Sequence, residues 1–118
     1  MESILTSIKK ELGISEDYTH FDPDLIMYIN SVLSILTQIG VGPSDGFRIE
    51  DKTSTWKDFI SNDIDLELVK SDMVLRVRLL FDPPLSSIVV KSMNEMIKEF
   101  EWRLSTIVEN KKEVDQNG

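Results

Sequence analysis

Two adjacent prolines, Pro83 and Pro84 in the stretch VRLLFDPPLSS (residues 77–87), separate two segments that each repeat apolar residues at helical spacing. Proline has no amide hydrogen and clashes with the preceding turn, so neither residue can lie inside a continuing helix. Either the prolines open a new helix capped by Asp82, or they form a tight link before Ser86 or Ser87 caps it. In both cases Phe81, Asp82, Pro83 and Pro84 make a structural elbow with few loop residues. The angle between the flanking helices is then specified, and Leu80, Phe81 and Val89 are expected to hold it.

Before the elbow, residues 66–81 carry a main stripe of Leu66, Val69, Met73, Val74, Val77, Leu80 and Phe81. Leu68, Leu75 and Leu79 form a second ridge almost opposite, with Asp72 and Arg76 between the two. A helix apolar on two sides is either central in its own domain or turned toward a partner. After the elbow, a helix is expected to about residue 109. Val89, Val90, Met93, Met96, Ile97, Phe100, Leu104, Ile107 and Val108 share one stripe, while Lys91, Glu95, Lys98, Glu99 and Arg103 occupy the other side at ion-pair spacing. Trp102 and Ile88 are anomalous, because both fall on that charged side.

The first half is also helical in pattern. Ile4, Leu5, Ile8 and Leu12 predict a short helix over residues 4–12, with Ser3 as cap and Gly13–Ile14 as its stop. In FDPDLIMYINSVLSILTQIG, Asp22 is placed to cap, Pro23 to take the first helical position and Phe21 to staple onto Ile26. Leu25, Ile26, Ile29, Val32, Leu33, Leu36 and Ile39 form the apolar face, and Met27 stands alone on the polar one. Residues 40–65 are dense in turn formers; FRIE suggests a brief extended piece. Thr53 or Ser54 is expected to cap a short helix that turns Trp56, Phe59 and Ile60 inward. The fold class is therefore all-α: a small bundle of four main helices plus a short helix in a long loop, with no significant sheet. One domain spans 1–108, and residues 109–118 form a flexible C-terminal tail.

Composition narrows the chemistry. With 41% hydrophobic and 29% charged residues, the chain is globular rather than disordered. It has no cysteine and one histidine, His20, which removes thiolate metal sites and histidine-relayed triads. The glycines of GVGPSDG lack the ending of a phosphate loop. Asp22 with Asp24 and Asp63 with Asp65 have the spacing to meet a hard cation, but helix capping explains both pairs more simply. No enzyme activity, cofactor or metal is expected. No apolar run reaches the roughly 18 residues of a membrane span, and the amphipathic N-terminus does not read as a signal peptide, so an intracellular location without membrane contact is expected. The net charge is −8, concentrated in residues 1–65 with 5 Lys/Arg against 12 Asp/Glu. Such a chain releases few counterions from a phosphate backbone, so it suits proximity to DNA without gripping it.

Four stretches carry a resemblance: IKKELGIS with FDPDLI, INSVLSILTQIGVGPSDGFRIEDKTSTWKDFI, VRLLFDPPLSS and IKEFEWRLS. In this order and spacing they resemble the small head–tail connector (adaptor, head-completion) proteins of long-tailed phages and prophages of Gram-positive bacteria, over about residues 1–108. The resemblance implies a non-catalytic, cofactor-free helical subunit that joins a ring beneath the portal protein. That ring would extend the DNA channel without binding DNA specifically and receive a stopper or tail-completion protein. It implies a virion component, held in the host cytoplasm before assembly and able to be monomeric in isolation. A small acidic helical module that binds or regulates another protein has the same composition, and a DNA-binding regulator is the remaining alternative.

A ring needs two different contact patches on each subunit. The candidate interface residues are Trp102 and Ile88, with Arg103 and Glu99 as rim contacts, together with Met27 and the second ridge Leu68, Leu75 and Leu79. The alternative for each is packing within the chain; Trp102, for instance, is placed to cover the N-terminal helix.

Overall fold

Among the described residues the apolar periodicity resolves into five helices: α1 (Ile4–Glu11), α2 (Asp22–Ile39), α3 (Trp56–Phe59), α4 (Leu66–Phe81) and α5 (Ser87–Asn117). The structure, a computed structural model, describes residues 2–60 and 66–117, with side chains through residue 112. Asp63 and Asp65 lie outside the described residues. Among the described residues the only strand-like pairing is an isolated bridge from Ser3 to Thr55, so the all-α architecture with one short helix in a long loop stands.

α1 starts and stops as its sequence dictates. Ser3 accepts a hydrogen bond from the Thr6 amide at 3.2 Å. At the other end Gly13 takes a φ of 79°, and the amides of Gly13 and Ile14 close back onto the carbonyls of Lys10 and Lys9. That pair of bonds satisfies carbonyls that a helix end leaves orphaned.

The start of α2 differs from expectation. Phe21 is the cap residue and Asp22 is already helical, with no side-chain cap bond. The Asp22 carboxylate instead lies 2.9 Å from Lys9 Nζ. A buried ammonium needs a counter-charge more than a helix end needs one more acceptor, so Asp22 faces Lys9. Phe21, being the cap itself, packs edge-on against Phe81 at the far end of α4, with ring centroids 5.1 Å apart.

The segment between α2 and α4 is pinned rather than loose. FRIE forms no strand; Asn30 on α2 receives the Ile49 amide at 2.8 Å and donates to the Ile49 carbonyl at 3.0 Å. One side-chain amide thus supplies the pairing a neighbouring strand would have given. The cap of α3 is Thr55, not Thr53 or Ser54, and it forms a reciprocal capping box with Asp58. Thr53 instead hydrogen-bonds Asp51 in a local turn. Trp56, Phe59 and Ile60 point inward as expected. Gly42 is required here: at φ 84° a Cβ would lie 2.4 Å from the Phe59 ring.

α4 is the central helix, packed between α2 and α5. Its main stripe is covered within the chain, with Val69, Met73 and Val77 buried, while of the second ridge only Leu68 is buried. The elbow takes the second of its two possible forms. Ser86 caps α5, accepting from the Val89 amide at 3.4 Å, and residues 82–86 are the link. Leu80 and Val89 are both about half exposed and contribute little to the corner; Phe81 is fixed by its contact with Phe21 at the start of α2, and α5 packs directly along α4.

α5 continues past residue 109 to Asn117. The extension includes Lys111, Lys112, Glu113 and Gln116, which favour a helix, and Lys112 Nζ lies 4.0 Å from Glu109. At about 1.5 Å per residue the helix alone accounts for most of the 48 Å long axis of a molecule only 20 Å thick. It is anchored at Gly40, whose φ is 106° and where a Cβ would come 2.8 Å from Val108 Cγ1.

Candidate functional site

Among the described residues three polar side chains, Ser7, Lys9 and Asp72, are buried in the interior, and each has a structural partner. Ser7 accepts the indole N–H of Trp56 at 3.0 Å. Lys9 Nζ donates to the carbonyls of Glu16 and Tyr18 at 3.0 and 2.7 Å and meets Asp22, so one ammonium ties α1, the following loop and α2 together. Asp72 on α4 accepts from Arg76 Nε at 3.1 and 3.0 Å, and Arg76 Nη2 reaches to 3.7 Å from Glu101 on α5. Burial raises the Asp72 carboxyl above its ordinary value of 3.8; Arg76 opposes that rise and Glu101 adds to it. These groups fasten helices to one another. Nothing in their arrangement pairs an acid with a base around an open space.

The surface is where the molecule is unfinished. At 100° per residue, Ile88 and Trp102 lie about 140–180° around α5 from Ile97 in the buried stripe. They are 77% and 68% exposed. Packing of Trp102 onto α1 is thereby ruled out: the indole stands away from the protein, one turn from the Arg103–Glu99 ion pair of 2.8 Å. Met27 is also exposed, on α2. Leu68 has to be withdrawn from the candidate surface, because it lies in the buried core. Leu75 and Leu79 are half-buried.

Two further surface features stand largely outside the residues singled out from the sequence as interface candidates. At the elbow, Leu80, Leu85 and Val89 are exposed next to Ile88, with Leu85 fully so at the tip of the link. Nearby rings continue this apolar end through Phe81 and Phe21 to His20 and Tyr18, the last half exposed. The second feature is a groove of about 520 Å³ between α1, α4 and α5, floored by Ile8, Val74, Leu75, Met96 and Phe100. Glu2, Glu11, Glu67 and Lys70 stand at its rim. Lys70 is held by Glu2 at 3.0 Å and Glu67 at 4.0 Å. The exposure of Leu85 was within reach of sequence reasoning, since a leucine on a link of five residues has little to pack on. The groove was not, because its walls come from three helices.

Among the described residues no group of three or more histidine, aspartate or glutamate side chains is placed to hold a metal ion. Among the same residues no helix is long and apolar enough to cross a membrane.

No curated protein and no solved structure matches the chain. A family model described as phage connector protein matches residues 4–111, from the first residue of α1 well into the outer part of α5. That span takes in the core, the elbow and the whole exposed ridge of α5, and the chain belongs to the phage connector protein family, a structural component of phage particles.

Proposed function

We propose that copies of this chain form a ring between the portal protein of a filled phage head and the stopper or tail-completion protein below it. The ring extends the DNA channel and gives the tail its attachment surface. The observation that carries this reading is the exposure of Trp102 and Ile88 on a connector-family chain whose own core is already closed. Large apolar side chains in a charged setting are favoured anchors of protein interfaces. Assembly with other head and tail proteins gives them something to cover.

Charge supports the same reading. The chain carries −8 overall, and a channel wall that DNA must traverse should not grip phosphates. Duplex DNA should accordingly show no measurable binding at about 150 mM salt, where screening is already substantial. The reading includes no catalytic step, and in it the chain moves from the host cytoplasm into the virion on assembly.

The deciding experiment is removal of the gene from the phage or prophage that encodes the chain. Particles made without it should be DNA-filled heads that carry no tail, and supplying the chain should restore tailed particles. Normal tailed, infectious particles in its absence would reject the proposal.

A further inference from the structure

The outward side of α5 is a spaced ridge. Ile88, Lys91, Glu95, Lys98 and Trp102 follow one another at intervals of three and four residues, so they line one side of the helix. Apolar side chains stand at the two ends, about 21 Å apart at 1.5 Å per residue. Lys91 and Lys98 are exposed and have no acidic partner among the described residues. The ridge therefore presents an indole with an unpaired ammonium one turn away.

The groove between α1, α4 and α5 has the opposite character. Apolar side chains line it together with Ser7 and Ser71, and its rim carries three carboxylates against the single ammonium of Lys70. Lys70 already serves Glu2 and Glu67, while Glu11 has no basic partner among the described residues. A volume of about 520 Å³ falls within the roughly 300–1,000 Å³ typical of sites that enclose a ligand. That volume leaves room for an indole.

Resting on the connector reading above, we infer that the Trp102 ridge of one copy docks in the α1–α4–α5 groove of the next copy. Trp102 seats over Leu75 and Phe100, and Lys98 pairs with Glu11. The two surfaces point in different directions, since Met96 and Phe100 of the groove lie about 120° and 160° around α5 from Trp102. A copy cannot fill its own groove with its own ridge, and the indole is indeed exposed. Two distinct patches that fit each other give a head-to-tail contact, which closes into a ring when the rotation allows. The exposed apolar end at the elbow is the weaker occupant, because Asp82 would bring a carboxylate to an acidic rim.

The chain contains no cysteine, so an engineered pair has no background. Phage particles would be assembled with the double variant Trp102→Cys/Leu75→Cys in place of the native chain, then oxidised and run on a denaturing gel. A ladder of linked copies is expected, with each single variant remaining monomeric. Incorporation without a ladder, or dimers from Trp102→Cys alone, would overturn the contact and leave the connector reading intact. Should the cysteine variants fail to incorporate, charge exchange decides the matter. Lys98→Glu and Glu11→Lys, both at exposed positions, should each lower incorporation by about tenfold, and the two together should restore it. A double variant no better than the singles would equally overturn the contact. Absence of the native chain from purified particles would instead sink the connector reading itself.

Discussion

Trp56 sits in a loop-rich segment and is 1% exposed, its indole N–H donated to Ser7. Trp102 sits in the middle of a regular helix and is 68% exposed. The regions around them differ in the same way. Around Trp56, the loop after α2 is tied down by Asn30, by the Thr55–Asp58 capping box and by the close approach of Gly42 to Phe59. α5 is regular throughout, yet between Ser87 and residue 112 only Met93, Ile97, Leu104 and Val108 are fully buried. Irregular backbone is thus no sign of a loose region here, nor is a long helix a sign of a finished one. The first region completes a core, and the second leaves a surface for assembly.

Substitutions at the two tryptophans give the largest contrast. Trp56→Ala should cost about 3–5 kcal/mol, removing a buried aromatic and leaving a cavity against α1. Chemical denaturation would register this as a large drop in midpoint; a loss below about 1 kcal/mol would mean the loop is not part of the core. Next in size is Lys9→Met, which strips two carbonyls and Asp22 of their ammonium. Breaking a buried pair from one side typically costs about 3–5 kcal/mol, and the partial exposure of Asp22 should bring this case to the lower end.

Smaller effects test how α5 is attached. Gly40→Ala places a methyl against Val108 at a positive φ, and about 1–3 kcal/mol should be lost. Hydrogen exchange should show the loss as earlier opening of α5, with α1 unaffected. The elbow comes next: Pro83→Ala with Pro84→Ala loosens the unfolded chain and should lower stability by about 1–2 kcal/mol. An unchanged melting temperature would mean that the packing of α5 along α4 sets the corner without the prolines. Trp102→Ala closes the series, with a stability change within about 0.5 kcal/mol and lowered incorporation into particles. A large destabilisation there would place the indole in this domain's own core and erase the contrast.

What the sequence determined by itself is whatever depends on phase along one helix. The spans of α1, α2 and α4, the stop at Gly13, the break at Pro83–Pro84 and the outward placement of Ile88 and Trp102 all follow from local spacing and backbone chemistry. The tertiary structure decided which partner each polar group takes and which apolar ridge is covered. Asp22 is an acceptable cap by its position, yet it serves Lys9; Thr55 caps where Thr53 and Ser54 had equal local claims; Asn30 lies on a polar face and turns out to hold Ile49. Leu68 and Leu75 share a ridge on α4, and only Leu68 is absorbed into the core while Leu75 lines the groove. The physical reason is common to all of them. Helical phase is a property of neighbours in the chain, whereas burial and charge pairing depend on neighbours in space, which periodicity does not specify.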